Sequence, residues 1–144
     1  MKALFLEIPY GSQEYQQCLS LRDQVLRKPL GLELTPLELR KDILDIHLGL
    51  QFERQMIACL VLTRVSNEII KMRQVAVTPK FQNKGLGKFL ILETENYLRT
   101  KGFKKIELHA RLNVLDFYLR LSYQEEGDIF EEVGINHKRM VKTL

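Results

Sequence analysis

The sequence predicts an α/β (α+β) fold with a mixed, mostly antiparallel central sheet of about six or seven strands, flanked by about four helices. Two patterns lead to this prediction. Between residues 46 and 77, three strand-like segments follow one another across short turns, which favours an antiparallel meander. Between residues 75 and 110 the order is strand, helix, strand, and such a crossover makes its two strands parallel.

The elements before the meander are predicted from capping residues. Residues 2–8 predict a first strand, and residues 13–27, which follow the capping residue Ser12, predict a first helix. Residues 35–38 (Thr-Pro-Leu-Glu) form a capping box with proline at the first helical position. A second, short helix is therefore expected to begin there and to end near Asp42.

The three meander strands are predicted at residues 46–52, 56–65 and 69–77. The second is apolar almost throughout, as a central strand is. A long helix follows and ends at Gly102, a residue suited to the position just past a helix. The side chains expected on its inner face, from their helical spacing, are Leu86, Phe89, Leu90 and Tyr97.

The C-terminal part is predicted as a strand, a short helix and two further strands. The first of these strands covers residues 105–111, and Asn113 is well placed to cap the helix after it. Ser122 and Tyr123 then lead to a strand and a turn, and the final strand is expected at residues 135–141.

A glycine-bearing loop joins the third meander strand to the long helix. Pro79 ends the strand, because proline has no N–H to donate to a sheet. The first helical turn has backbone N–H groups without partners, and Gly85 and Gly87 lack Cβ atoms that would keep an anion away. Lys84 and Lys88 add positive charge, so the loop suits phosphate. An ordinary two-glycine turn explains the same residues, and the spacing fits neither a Walker A loop nor G-x-G-x-x-G.

The surroundings of this loop resemble a family signature. V-x-V at residues 75–77 and Q-x-x-G-x-G at residues 82–87 are similar to the signature of the GNAT family of N-acetyltransferases, and the resemblance runs from about Leu60 to the C-terminus. It implies a single acetyltransferase-like domain over residues 1–144, with acetyl-CoA as cosubstrate. The residues that it assigns to binding acetyl-CoA are Val75, Ala76, Val77, Gln82, Asn83, Lys84, Gly85, Leu86, Gly87, Lys88 and Asn113.

A second block extends the resemblance. The run from Asn113 through Phe117 and Tyr118 to Ser122 is similar to the block in which the family carries a general acid, a role that falls on Tyr118. A phenol with a pKa of about 10 stays protonated at neutral pH and can serve a leaving thiolate, whose thiol has a pKa of about 8.5. A half-buried structural tyrosine is the alternative. The family usually has glycine where this chain has Ser122, and a left-handed backbone costs serine more.

The acceptor amine needs a base or a desolvating pocket, because an ammonium with a pKa of about 10.4 is almost entirely protonated at pH 7 and cannot attack a thioester. His137, on the final strand, and His109, on the strand after the long helix, are the candidate bases. For each of them a structural histidine is the alternative, and His47 is the weakest candidate. Carboxylates acting through water are the other option, at Glu107, Glu131 and Glu132.

The expected function is transfer of the acetyl group of acetyl-CoA to a primary amine by direct attack, without a metal. Residues 22–42 resemble the helix pair that walls the acceptor pocket in one subgroup of the family. The acceptor, small molecule or peptide, stays open, as do the use of longer acyl groups and the oligomeric state, a homodimer included. The alternatives are a non-catalytic acyl-CoA sensor and an unrelated phosphate- or nucleotide-binding domain.

Composition narrows the partners and the compartment. Lys and Arg number 22 against 18 Asp and Glu, a net charge of +4 that suits an anionic cofactor. The charges are spread along the chain without a basic block or a reader motif, so no nucleic-acid partner is expected. Cys18 and Cys59 lack metal-ligand spacing and are expected to be reduced, and the N-terminal apolar run is too short for a signal peptide or a membrane span. A cytoplasmic protein without a membrane partner is expected.

Overall fold

A computed structural model describes residues 2–144 and contains seven strands and four α-helices. The strands are β1 (Leu4–Glu7), β2 (Ile46–Phe52), β3 (Gln55–Arg64), β4 (Ile69–Val77), β5 (Lys105–Arg111), β6 (Gln124–Glu132) and β7 (Ile135–Thr143). The α-helices are α1 (Gln13–Arg22), α2 (Pro36–Lys41), α3 (Leu86–Thr100) and α4 (Leu115–Arg120). The strands form one sheet in the order β1-β2-β3-β4-β5-β7-β6, parallel between β4 and β5 and antiparallel elsewhere. The predicted mixed sheet is confirmed.

The parallel strands β4 and β5 separate toward their C-terminal ends. Their pairing covers Ile69–Met72 and Lys105–Leu108. Just beyond this region β4 carries an extra residue relative to β3, and Gln74 there has a φ of 51°. A bulge of this kind bends a strand and increases its local twist. The C-terminal halves of β4 and β5 therefore leave a wedge-shaped gap.

Helices cover the sheet on both faces. α3 packs over one apolar core, in which Leu90, Leu98 and Ile106 are fully buried. α1 packs against β3 around a second apolar cluster that contains Cys18 and Cys59. Both cysteines are free thiols, as the sequence predicts.

The long helix α3 has the predicted bounds but a different inner face. Gly85 precedes its first residue, and Gly102 follows its end with a φ of 86°. The prediction for Phe89 is wrong, because this side chain is 39% exposed. The buried stripe instead runs through two polar residues, Thr94 and Glu95, which hydrophobic spacing does not reveal.

The first helix ends earlier than the sequence predicts. α1 stops at Arg22, and the chain continues as a π turn over Asp23–Arg27 and a 3-10 turn over Lys28–Leu30. Pro29 has no N–H and disfavours the α conformation in the residue before it, so a regular helix cannot continue through this stretch. Gly31 then closes the turn with a φ of 71°.

Cap predictions hold at two helices and fail at a third. Ser12 and Thr35 cap α1 and α2 through their side chains, as predicted. The prediction that Asn113 caps α4 is wrong, since it lies inside a 3-10 turn over Leu112–Val114. An N-cap residue needs an extended backbone, and Arg111 already supplies it (φ −62°, ψ 146°), so the turn begins before Asn113.

The predicted strand bounds agree with the structure to within about two residues. Among the helices of residues 2–144, none combines the length and the apolar composition needed to cross a membrane.

Candidate functional site

A cleft of about 1010 Å³ opens between the separated ends of β4 and β5. The glycine loop lines one end of the cleft. The rest is lined by α2, β5, α4 and the turn that follows α1. Tyr118, His109 and His137, which the sequence nominates for catalysis, all line this cleft. The nominated cofactor residues that line it are Val75, Val77, Gln82, Asn83, Gly85, Leu86, Gly87, Lys88 and Asn113.

Two of the nominated cofactor residues do not line the cleft. Ala76 is 2% exposed and packs in the core beneath α1, because successive side chains of a strand point to opposite faces. The Nζ of Lys84 lies 5.6 Å from the centre of the Phe81 ring, which places its charge beside the loop.

The glycine loop presents a helix start without a side-chain cap. Gly85, the N-cap of α3, has a φ of 79° and a ψ of 6°, a left-handed conformation that glycine adopts without strain. Gln82 braces the loop by donating from Nε2 to the carbonyl oxygen of Val77 at 2.9 Å. A Cβ on Gly87 would lie 3.4 Å from Cζ of Phe117. The N–H groups of the first turn of α3 are thus left for an anion.

Tyr118 occupies the wall of the cleft formed by α4. Its ring lies 5.0 Å from that of Phe117 and 5.5 Å from that of Tyr123, centre to centre. Burial raises the pKa of Tyr118 well above its ordinary value, so the phenol keeps its proton. Tyr123 donates a 2.8 Å hydrogen bond to Oε2 of the buried Glu95, which fixes the end of α4 against α3. The phenol of Tyr118 is therefore a proton-bearing group on the wall of the cleft.

Glu132 stands between the two nominated histidines. Because a carboxylate only accepts, Nδ1–H of His109 donates to Oε1 of Glu132 at 3.1 Å. His137 donates from Nδ1 to the carbonyl oxygen of Ile135 at 2.8 Å, and its Nε2 lies 3.7 Å from Oε2 of Glu132. Burial by itself raises the pKa of Glu132, but the hydrogen bond from His109 and the charges of His109, His137 and Lys71 lower that pKa overall. In neutral His109, Nε2 is thus the nitrogen left to accept a proton.

The other candidate bases are held elsewhere. His47 is 3% exposed and donates from Nε2 to the carbonyl oxygen of Asp42 at 2.8 Å, which is a structural role. Glu107 accepts a hydrogen bond from Arg139. Glu131 is exposed and is not part of the cleft wall.

A buried ionic network behind β4 is a feature that sequence reasoning reaches only through the resemblance of residues 22–42. The carboxylate of Asp42 is fully buried and accepts from Nη1 of Arg22 at 2.7 Å, Nη2 of Arg22 at 3.2 Å and the hydroxyl of Tyr15 at 2.6 Å. Burial and the hydrogen bond to Asp42 raise the pKa of Tyr15 well above its ordinary value. Arg22 also donates from Nε to Oε1 of Gln74 at 2.5 Å, so the network grips the bulge residue of β4.

The local signal for this network is an arginine among the apolar positions of α1. The signal shows that Arg22 needs a buried partner, because charged side chains are rarely buried unless they are paired. It does not show which residue is the partner.

Comparisons with known proteins point to one family. A family model described as an acetyltransferase (GNAT) domain matches residues 33–144. Uncharacterized protein YyaT of Bacillus subtilis (strain 168) is 28% identical over 81 residues, which are 56% of this chain and 55% of that protein. The match thus spans little more than half of this relative.

Solved structures show the same fold. Escherichia coli ElaA superposes with a TM-score of 0.85 at 16% identity, over 98% of this chain and 99% of that one. A GNAT family acetyltransferase from Elizabethkingia anophelis, solved with acetyl-CoA bound, superposes with a TM-score of 0.76 at 18% identity, over 99% of this chain and 98% of that one. The seven-stranded, mostly antiparallel open sheet with its four helices is the fold of these proteins.

Proposed function

Because the chain belongs to the GNAT acetyltransferase family, we propose that it transfers the acetyl group of acetyl-CoA to a primary amine by direct attack within the cleft. Membership supports the general class, an N-acyltransferase that uses an acyl-CoA. One observation carries the specific proposal: the uncapped start of α3 and the phenol of Tyr118 share a single cleft between separated strands.

The donor fits the cleft through backbone groups. Beyond Met72, β4 is no longer paired with β5, so its N–H and C=O groups on that edge can pair with the amides of pantetheine as an added strand would. The first turn of α3, with Gly85 and Gly87 and the charge of Lys88, suits the diphosphate. Asn113 lines the same cleft beside these groups. The Elizabethkingia protein, which holds acetyl-CoA in the same fold, supports this use of the cleft.

The bond changes of this reaction balance without a further reactant. The amine nitrogen bonds to the thioester carbon, the carbon–sulfur bond breaks, and CoA leaves as a thiolate. Tyr118 donates a hydrogen bond to sulfur as negative charge develops there. Burial raises the pKa of Tyr118 far above the value of about 8.5 for a thiol. The phenol therefore serves mainly to donate a hydrogen bond to sulfur. The thiolate then takes up the proton that the base removed from the amine nitrogen, through solvent, so the products are the amide and CoA as a thiol.

His109 is the base that the geometry favours. Its Nδ1–H is held by Glu132 at 3.1 Å, which leaves Nε2 to take the proton of the amine. His137, nominated first from the sequence, is 4% exposed and bound at Nδ1 to a backbone carbonyl, so it serves better to orient Glu132. Both histidines stay in the proposal, with His109 as the proton acceptor and His137 as its support.

Two measurements test the proposal in sequence. Thermal unfolding should show stabilisation by acetyl-CoA and none by ATP or NAD, because a ligand that binds the folded state raises its stability. Equal stabilisation by all three ligands would instead indicate an unrelated nucleotide-binding domain. Release of free thiol with a panel of primary amines then measures transfer. A protein that binds acetyl-CoA but acetylates no amine would be an acyl-CoA sensor.

Three further points belong to the proposal. Residues 1–144 act as one acetyltransferase domain, since the family model covers residues 33–144 and β1 is the edge strand of the same sheet. The partner is an amine-bearing small molecule or peptide. A cytoplasmic location is consistent with two cysteines that are free thiols.

A further inference from the structure

Positive charge is concentrated in the acceptor half of the cleft, which we define as the part lined by the turn after α1, by α2, and by the cleft-facing side chains of β4, β5 and the β6–β7 turn. The cationic side chains that line this half are Arg27, Lys41, Lys71, Arg73 and Arg111. The carboxylates that line it are Glu38 and Glu132. Lys88 lies at the glycine-loop end of the cleft, where acetyl-CoA is proposed to bind, and is not counted here.

Both of these carboxylates already have partners. Glu38 pairs with Arg27 at 3.0 Å, and Glu132 is shared by the two histidines. Arg73 is neutralised from outside the cleft wall by the nearly buried Asp45 at 2.7 Å. The two histidines contact Glu132 without cancelling its charge while they are neutral, and this charge also acts on Lys71. The remaining cations, Lys41, Lys71 and Arg111, outnumber it, so this half of the cleft keeps an excess of positive charge.

Arg111 is the first of these cations. Its Nη2 donates to the carbonyl oxygen of Leu26 at 3.1 Å, and Nη1 of Arg27 donates to the same oxygen at 3.2 Å. The guanidinium groups of Arg111 and Arg27 therefore converge on one neutral acceptor, and Glu38 neutralises only that of Arg27. Burial and the charge of Arg27 lower the pKa of the Arg111 guanidinium. In the part of the chain that the structure describes, no carboxylate lies within 4.0 Å of Arg111.

Lys71 is the second. It lies on β4 opposite Glu107 of β5, but that carboxylate accepts from Arg139 instead. Burial lowers the pKa of Lys71, and the charges of Glu132 and Glu107 only partly offset this effect. Among residues 2–144, no carboxylate lies within ion-pair distance of its ammonium group. Both cations are half-buried and lack an ion-pair partner, and an anion bound beside them would reduce the cost of that partial burial.

We propose that the acceptor amine carries an anionic group, a carboxylate or a phosphate, which is attracted by the positive charges of Arg111 and Lys71, one on each side of His109 in the strand register, while the amine faces His109. The inference rests on the proposed acetyl transfer and narrows its substrate class. Polycationic acceptors such as diamines are repelled by the same charges. Nearby cations also lower the pKa of the amine, which increases the fraction able to attack.

Pairs of amines that differ in one anionic group test this inference. Thiol release with acetyl-CoA would be measured for an α-amino acid against its carboxamide, for 2-aminoethyl phosphate against ethanolamine, and for a diamine. We expect the anionic member of at least one pair to exceed its neutral partner about tenfold or more in kcat/KM, because charge-assisted hydrogen bonds are stronger than neutral ones. The first two pairs distinguish a carboxylate from a phosphate.

Two variants link the preference to the named side chains. Arg111→Gln and Lys71→Gln should each reduce the ratio of kcat/KM for the anionic amine to kcat/KM for its neutral partner about tenfold. Lys104→Gln, which removes the same charge from an exposed position just before β5, should leave the preference unchanged. If Arg111→Gln does not fold, Lys71→Gln still tests the inference. Thermal unfolding of both variants shows whether each is folded.

The outcomes separate this inference from the function on which it rests. If diamines or neutral amines are acetylated best, or if both variants keep the wild-type preference, the acceptor class is wrong and acetyl transfer stands. If no anionic amine is acetylated while acetyl-CoA binds, the inference is also overturned. If acetyl-CoA does not bind, the proposed function itself fails.

Discussion

Replacing Asp42 by Asn tests how much the buried network behind β4 stabilises the protein. The side chain of Asp42 is fully buried, and so is that of its partner Arg22, which is 1% exposed. The substitution keeps the size of the side chain but removes its charge, which leaves the guanidinium of Arg22 uncompensated. An amide oxygen can still accept one of the three hydrogen bonds that the carboxylate receives.

The expected loss is about 3–5 kcal/mol, the range for removing one partner of a buried ion pair. A domain of this size has about 5–15 kcal/mol of stability in all, so the variant should fold but lose a large share of it. Its unfolding midpoint should fall by about 6–20 °C, at about 2–4 °C for each kcal/mol. Urea unfolding followed by circular dichroism would measure the loss, with an unchanged slope showing that both end states are comparable.

Two controls sharpen this measurement. Asp45→Asn removes a carboxylate whose partner Arg73 is partly exposed (19%), so it should cost clearly less. The double variant Arg22→Met with Asp42→Leu removes both charges and should recover much of the stability, because a well-packed apolar pair can replace a buried ion pair. A loss below about 1 kcal/mol in Asp42→Asn would refute the reasoning that this pair is buried and mutually dependent.

Three other outcomes are expected. Gly49→Ala should lower the free energy of unfolding, measured with urea, by about 1–3 kcal/mol or more, since its Cβ would lie 2.7 Å from the carbonyl oxygen of Ala58. Gly87→Ala, whose Cβ would have its nearest contact at 3.4 Å, should lower it less. Equal losses in the two variants would contradict this reasoning. Tyr118→Phe should lower kcat about 100-fold while acetyl-CoA affinity changes less than about twofold, and an unchanged kcat would exclude Tyr118 from the chemistry. The pKa of Glu132 is lowered in the folded state, so its carboxylate stabilises the fold above the unfolded pKa of about 4.3, and this stabilisation is lost as the pH falls through the folded pKa. Glu132→Gln should therefore remove part of the decrease in thermal unfolding midpoint that the wild type shows on acidification. Identical pH profiles for variant and wild type would contradict the contacts of Glu132 with His109 and His137.

Local patterns in the sequence were sufficient to predict most of the fold. The meander, the crossover and the helix start at Gly85 each depend on residues that are close in sequence, and such signals are complete within a short window. Ser122 is a further local prediction that agrees with the structure, because its φ of 72° is the left-handed backbone expected where the family has glycine. The error at Asn113 arose where two local rules compete, since the residue is both a good cap and a good member of a tight turn.

Parts of the candidate site depend on contacts that no local pattern carries. Arg22 and Gln74 are 52 positions apart, and their hydrogen bond exists because α1 packs beside the bulge of β4. The ranking of the histidines had the same difficulty, since only the folded hairpin of β6 and β7 brings Glu132 to His109. The charged residues Lys71 and Arg111 were visible in the sequence, but their lack of carboxylate partners was not.

The early end of pairing between β4 and β5 also makes the cleft observable without a reaction. Amide protons on the open edge of residues 73–77 are not protected by a neighbouring strand, so they should exchange with deuterium faster than those of Ile69–Met72. A donor that lies along this edge would slow their exchange and leave the distant amides of β1 and β2 unchanged. Isotope labelling would therefore map, residue by residue, how far into the sheet a bound thioester reaches.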